Sequence, residues 1–358
     1  MNDIISGAYL DACTYLTEGD LMRDINITSN DAGRRLDRFL RKYLGHATLA
    51  EIYKIIRKDV KVNGKRKAES YMLAEGDVLT LYLADETIDR MTGGNPGRQR
   101  KADNHKAKRQ FRIIYEDSNI LAADKPYGLL THGDSHEKKN HLANQVKDYL
   151  IEQGEFDPSS EKVFSPAPAN RIDRNTTGLV LFGKTAASLK SLNKMIRDDM
   201  IDKFYLTIVH GRLTEEMTLT GSLIKDQDTN KVSISADDSE GLHIVTVVRP
   251  VETFTYAEGF TATLVEVHLV TGRSHQIRAH LASIGHPVIG DTKYAARSSR
   301  KANDYLSRTF RLSTQLLHAY RIEFRETTED LQYLKGRQLT APVPPVFDKI
   351  LASMREGR

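Results

Sequence analysis

The feature that most limits how this chain can fold is a series of strand-like apolar runs that begins at Phe111. Six of them follow one another: FRIIYED, NILAADK, GLVLFGK, FYLTIVHG, HIVTVVRPVETF and FTATLVEVHLV. Helical patterns separate only some of these runs. Strands that are neighbours in the sequence favour antiparallel pairing, because a parallel pair needs a long crossover. The sequence therefore predicts an α+β domain over 111–350, with a mixed, largely antiparallel β-sheet flanked by helices and loops.

A second pattern, of two helices, a hairpin and a strand, precedes this domain. Apolar residues recur at helical spacing in RRLDRFLRKYL and again in LAEIYKII. Asn63-Gly64 then marks a tight two-residue turn, and VLTLYL is typical of a strand. We predict a small α/β unit over 21–86, preceded by an N-terminal arm over 1–20. Two domains also suit a length of 358 residues.

Basic residues concentrate in two places, which matters more than the modest net charge of +4. RMTGGNPGRQRKADNHKAKRQ has seven basic residues, one acid and no apolar period, so we predict a flexible basic linker over 87–110. Within the small unit, seven basic residues form a candidate phosphate-binding face: Arg34, Arg35, Arg38, Arg57, Lys61, Lys65 and Arg66. For any one of them the alternative is an ordinary solvated helix surface, and the cluster is a stronger signal than its members.

The chain has one cysteine, Cys13, which fits a reducing compartment. It has no apolar run of the ~18 residues that a transmembrane helix needs. Its first segment, MNDIISGAYLDACTYL, has no basic residue ahead of the apolar stretch and is a poor secretory signal. We therefore expect a cytoplasmic protein that does not enter a membrane.

Two segments are dense in polar side chains beside apolar runs. In the loop before GLVLFG, Asp173 lies between Arg171 and Arg174, and nearby positive charge favours the ionised carboxylate. Standing alone, such an aspartate is more often a turn or capping residue. After the turn at Thr271-Gly272 come the donors of a second candidate site: Arg273, His275, Gln276, Arg278 and His280.

These segments resemble the RluA family of pseudouridine synthases. RIDRNTTGLVLF is similar to its HRLD-x-x-TSG-L-L signature, DKFYLTIVHG to its K-x-Y-x-A-x-V-x-G segment, and VTGRSHQIRAHLASIGHPVIGDTKY to its TGR-x-HQIR segment. IIYEDSNILAADKPYGLLTH resembles the start of the catalytic domain, and the unit over 21–86 resembles an S4 RNA-binding domain. One departure is Asn170, where the family usually has histidine.

The resemblance implies a function and a site. Asp173 would be the catalytic carboxylate, attacking C1′ of the ribose or C6 of the ring. Arg278 would pair with it, and Arg171 would support the flipped nucleotide. Tyr205 would stack on the base and could assist proton removal from C5. The other RNA contacts would come from Arg273, His275 and Gln276. Isomerisation of uridine involves no redox step, so no cofactor is expected.

Several alternatives stay open at this point. The substrate that the resemblance favours is structured RNA, above all 23S ribosomal RNA, with tRNA as the second candidate. A non-catalytic RNA-binding or ribosome-assembly factor is the third reading. For Arg278 the alternative is a phosphate-binding or surface arginine, and for Tyr205 a core tyrosine. The spacing of His275, His280 and His286 matches no common zinc motif, so we expect no metal. We expect a monomer.

Overall fold

A computed structural model describes residues 22–93, 108–225, 231–235 and 241–357. The predicted arm over 1–20 and most of the predicted linker over 87–110 lie outside these residues. Contacts within the chain define two compact units. The smaller unit comprises the described residues up to 93 together with 158–164, and the larger comprises 108–157 and 165–357.

The smaller unit contains the two predicted helices and the predicted strand, and it also has a first strand and a last helix that the sequence pattern did not indicate. Its bounds are β1 (Arg23–Asn26), α1 (Leu36–Tyr43), α2 (Leu49–Lys58), β2 (Val60–Val62), β3 (Val78–Leu81) and α3 (Asp85–Thr92). The strands form an antiparallel sheet of order β1-β3-β2. Asn63 and Gly64 form the predicted tight turn with φ of 50° and 72°. The strand that pairs with β2 is β3, however, and only one bridge, between Val62 and Lys65, joins the two sides of the turn.

A short segment from far along the chain completes this unit. Asp31, fully buried, accepts hydrogen bonds from the backbone N–H groups of Lys162, Val163 and Phe164 at 3.2, 3.3 and 2.9 Å. Glu161 accepts further bonds from the side chains of Thr28 and Asn30, and Val163 packs in the apolar core of the unit. Sequence patterns predict nothing of this kind, because the pairing is set by one buried carboxylate.

The larger unit is organised around an eleven-stranded sheet. Its strands are β4 (Arg112–Glu116), β5 (Ile120–Lys125), β6 (Ala167–Pro168), β7 (Thr177–Gly183), β8 (Ile201–His210), β9 (Met217–Lys225), β10 (Val232–Ser235), β11 (Leu242–Tyr256), β12 (Phe260–Leu269), β13 (Leu317–Phe324) and β14 (Gln338–Thr340). Its helices are α4 (Leu142–Glu152), α5 (Ala186–Arg197), α6 (Gln276–Ser283), α7 (Arg300–Phe310) and α8 (Pro345–Arg355). The main path is β10-β9-β11-β12-β8-β13-β7-β5-β4, while β14 pairs with β13 and β6 with β7.

The predicted fold class, a mixed and largely antiparallel sheet with flanking helices, is confirmed. In the described part of the chain, β13 and β7 pair parallel and the other strand pairs are antiparallel. Among the same residues, no helix is both long and apolar enough to cross a bilayer.

The parallel pair at the centre of the sheet sets the position of the polar loop that precedes β7. Ala319 on β13 lies opposite Gly178 on one side and Tyr205 of β8 on the other. Gly178 has φ of +107°, and a Cβ there would overlap the carbonyl oxygen of Ala319. Glycine is therefore required at this position, because only a bare backbone permits both the conformation and the approach. The result brings the loop that carries Asp173 close to Tyr205.

Candidate active site

Three segments meet in a pocket of about 80 Å³ at the centre of the larger unit. Asp173 and Thr176 come from the loop before β7, Tyr205 from β8, and His275 and Arg278 from the start of α6. The hydroxyl of Thr176 is buried and has no partner among the described residues. A polar group in this state is one that a bound ligand can satisfy.

Arg278 joins two carboxylates across the pocket. Its Nη1 donates to Oδ2 of Asp173 at 3.2 Å, while Nε and Nη2 donate to the two oxygens of Asp291 at 2.6 and 3.0 Å. Asp291 is only 1% exposed and also accepts backbone N–H groups from its own loop. Burial alone would lower the pKa of Arg278, but its bonds with Asp291 and Asp173 raise it above its usual value. The guanidinium is thus held charged and fixed against Asp173.

His275 occupies a strained position beside the same carboxylate. It precedes α6 in a left-handed conformation, with φ of 58° and ψ of 13°, which costs a non-glycine residue about 1–3 kcal/mol. Its Nε2 lies 3.9 Å from Oδ2 of Asp173. Burial lowers the pKa of His275, although the charge of Asp173 opposes that shift.

Tyr294 holds the ring of this histidine in place. Its hydroxyl oxygen accepts the backbone N–H of Val232 at 3.1 Å, and it lies 2.9 Å from Nδ1 of His275. Burial raises the pKa of Tyr294. The hydrogen bond at Nδ1 leaves Nε2 as the ring nitrogen that faces Asp173.

Tyr205 lines the pocket with its ring but is almost wholly buried. Burial, and secondarily the negative charge of Asp173, raises the pKa of its hydroxyl well above the usual value of a tyrosine. The group therefore stays protonated at neutral pH and is a poor base.

Lys125 supports the loop from below and was not singled out by the sequence. It is fully buried, and its Nζ donates to the carbonyl oxygens of Pro126, Leu129 and Arg174 at 3.1, 2.7 and 2.9 Å. Burial lowers its pKa to about 7, while Asp173 and Asp124 oppose that shift. The lysine in KPYG is the signal that points to it, because a lysine at the end of a largely apolar strand must find acceptors.

The side-chain amides of Asn170 and Gln276 make hydrogen bonds to other groups of the protein. Asn170 accepts the N–H of Leu181 at 2.8 Å and donates to the carbonyl of Leu179, which ties the loop to β7. The amide of Gln276 is satisfied by Thr271, Thr246 and backbone groups of the neighbouring turn. The RNA contact predicted for Gln276 is therefore not available to its side-chain amide. Arg171 and Arg273, in contrast, are exposed at the pocket.

The other two histidines of this segment each have a partner elsewhere in the protein. His280 pairs through Nδ1 with Thr246, and His286 pairs with the carbonyl of His210. Burial lowers the pKa of His280 to about 4, so it is neutral. Asp291, which orients Arg278, belongs to the GDTKY segment that follows these histidines.

The basic residues of the smaller unit differ in how they are occupied. Arg35 makes a two-point bond with Asp37, at 3.1 and 2.8 Å. Lys61 lies over the ring of Tyr82, and Arg57 and Arg66 donate to backbone carbonyls. Burial lowers the pKa of Lys42, and repulsion from the like charge of Arg34 lowers it further. These side chains form a loosely held cationic surface, and their contact with RNA stays a prediction.

Comparison with known proteins gives a consistent result. Residues 119–283 match the family model described as RNA pseudouridylate synthase. The chain is 30% identical to the ribosomal large subunit pseudouridine synthase C of Vibrio parahaemolyticus over 342 residues, which covers 93% of this chain and 96% of the relative. It is 30% identical to the protein of that name from Haemophilus influenzae, covering 93% and 95%. The solved human RNA pseudouridylate synthase domain containing 4 shares the fold, at a TM-score of 0.50 and 19% identity, covering 68% of this chain and 92% of that one.

Proposed function

The chain belongs to the RNA pseudouridine synthase family, and on that premise we propose that it modifies large-subunit ribosomal RNA with Asp173 as its catalytic carboxylate. The substrate follows from relatives whose names state that subunit and which match 93% of this chain. The residue follows from one observation, the guanidinium of Arg278 held between Asp291 and Asp173. We expect the protein to act as a monomer in the cytoplasm.

The reaction is an isomerisation whose atoms balance within the substrate. The N1–C1′ bond breaks, the base turns, a C5–C1′ bond forms, and the proton leaves C5 while N1 gains one. In one route an oxygen of Asp173 bonds to C1′ as N1 leaves, and C5 then displaces that oxygen from C1′, which restores the carboxylate. In the other route the oxygen adds to C6 and is eliminated from C6 after the C5–C1′ bond has formed. Since Oδ2 accepts the hydrogen bond from Arg278, we assign the attack on the substrate to Oδ1.

The pocket must receive a nucleotide that has left its stack, at a cost of a few kcal/mol. Exposed cationic side chains at the pocket, Arg171 and Arg273, are placed to hold the phosphates of that nucleotide. Because burial keeps the hydroxyl of Tyr205 protonated, we assign its ring to packing on the base rather than to proton removal. Base stacking on an aromatic ring is worth about 1–3 kcal/mol.

The test compares Asp173→Asn with the wild type on ribosomal RNA that lacks the modification. Carbodiimide labelling and primer extension map the uridines that each protein converts. The variant is expected to lose conversion by about 1,000-fold or more, since a neutral amide cannot replace a nucleophile, while RNA affinity stays within about threefold because the phosphate contacts persist.

Asp304→Asn, at an exposed position on α7, is the matched control and should convert RNA like the wild type. Conversion by Asp173→Asn at the wild-type rate would overturn the assignment of the carboxylate. Conversion of tRNA in preference to ribosomal RNA would overturn the assigned substrate and leave the carboxylate assignment standing.

A further inference from the structure

A second and larger cavity lies against the loop that carries Asp173. Its volume is about 540 Å³, compared with about 80 Å³ for the candidate active site. Ligand pockets of proteins typically measure about 300–1,000 Å³, so its size suits a nucleotide. Nothing in the reaction described above uses this cavity.

The loop itself separates the two cavities. Asp173 and Thr176 line the active site, whereas Asn175 and Thr177 line the second cavity, and Leu317 of β13 contributes to both. Lys125, which also lines the second cavity, holds the carbonyl oxygen of Arg174 within this loop. A ligand bound in the second cavity would therefore contact the loop that positions the catalytic carboxylate.

The lining combines flat apolar surface with positive charge. Tyr127 is 56% exposed, unusual for a tyrosine beside a cavity, and its hydroxyl lies 3.4 Å from Thr314. Pro342, Pro344 and Phe347 add apolar walls. The basic residues of the lining are Arg112, Lys125 and Arg311. Arg112 faces the carboxylate of Asp124 at 3.8 Å, and Nζ of Lys125 donates to three backbone carbonyls, so the guanidinium of Arg311 is the group best placed to meet a phosphate.

We propose that this cavity binds a second unstacked nucleotide of the same RNA, close to the target uridine. The inference rests on the proposed function. Tyr127 stacks on the base, because an exposed ring offers a face to any base, and Arg311 pairs with a phosphate. A polymeric substrate supplies its neighbouring nucleotides at high local concentration, so a cavity that shares a wall with the active site meets them first.

The test uses a fragment of large-subunit ribosomal RNA that contains a mapped target uridine. Tyr127→Ala is expected to weaken RNA binding by roughly tenfold, in line with the loss of one base stack, and to raise KM more than it lowers kcat. Tyr127→Phe should recover most of that loss because the ring remains. Arg311→Asn, which suits the left-handed backbone with φ of 56°, should weaken binding several-fold, whereas Arg308→Asn on the exposed side of α7 should not.

RNA fragments with single abasic positions near the target locate the bound nucleotide. One abasic position should weaken binding by the wild type yet add nothing to the effect of Tyr127→Ala, because both remove the same stack. Additive effects at every position, or unchanged binding by Tyr127→Ala, would overturn the inference and direct attention to a peptide as the occupant. These outcomes are separate from the proposed function, since wild-type conversion of the mapped uridine is measured in the same assay.

Discussion

The candidate active site and the cationic surface of the smaller unit use charge in opposite ways. At the active site, Arg278 is nearly buried and bonded to Asp173 and Asp291 at fixed distances. On the smaller unit, Lys65 and Arg38 are exposed, and Arg35 is occupied by Asp37. A buried charge fixes the position of its partner, but removal of that partner lowers the free energy of unfolding by several kcal/mol. Exposed charges bind RNA phosphates through many weak contacts, so each one adds little to the affinity.

After Asp173 itself, the largest effect is expected at Asp291, which orients Arg278 without lining the pocket. Asp291→Ala leaves a buried guanidinium without its main partner, so we expect a loss of about 3–5 kcal/mol in the free energy of unfolding. Single-turnover conversion should fall about 100-fold, as expected when a reacting group moves by ~1 Å. Denaturant titration and rapid quench measure the two quantities, with Asp304→Ala as the control. A variant with wild-type rate would show that Asp173 does not depend on this ion pair.

Lys125→Met tests whether the buried ammonium group beneath the loop lowers or raises the free energy of unfolding. The folded pKa of about 7 lies below the unfolded value of about 10.4, so the unfolded chain binds more protons between these values. The contribution of Lys125 to the free energy of unfolding should therefore rise by about 1.4 kcal/mol per pH unit from pH 7.5 to 9.5. Comparing urea titrations of wild type and variant across that range isolates it. A difference that does not change with pH would contradict a lowered pKa.

A smaller effect is expected from Tyr294→Phe, which removes the hydroxyl that bonds to Nδ1 of His275. One hydrogen bond is worth about 1 kcal/mol, so kcat should fall about fivefold while KM stays constant, because the ring of His275 remains in place. Tyr305→Phe on α7 is the control. A rise in KM with unchanged kcat would assign Tyr294 to substrate binding instead.

The smallest effect is expected on the smaller unit. Arg38→Gln should weaken RNA binding only two- to threefold and reduce the slope of log affinity against log salt by about 1. Arg35→Gln should change the slope less, because Asp37 already occupies that guanidinium. Binding titrations at several salt concentrations compare the two. Equal slopes for both variants and the wild type would show that this surface does not meet the phosphates.

Much of the architecture can be predicted from the sequence because the spacing of apolar residues indicates whether a segment is a helix or a strand. The runs GLVLFGK and FYLTIVHG appear as the buried strands β7 and β8, and RRLDRFLRKYL contains α1. Asn63-Gly64 likewise predicted a tight turn, but the sequence did not indicate that β2 pairs with β3. Local signals identify elements, whereas the choice of a partner depends on contacts that form only in the folded chain.

The sequence by itself determined the fold class and many of the helices and strands, and it predicted which segments carry the candidate site. Tertiary structure alone decided that Asp291 holds Arg278, that Lys125 holds the loop, that Tyr294 bonds to His275, and that residues 158–164 complete the smaller unit. The physical reason is that each of these depends on a buried polar group finding its partner across the chain. Burial makes such a pairing obligatory, but spacing in the sequence does not encode it.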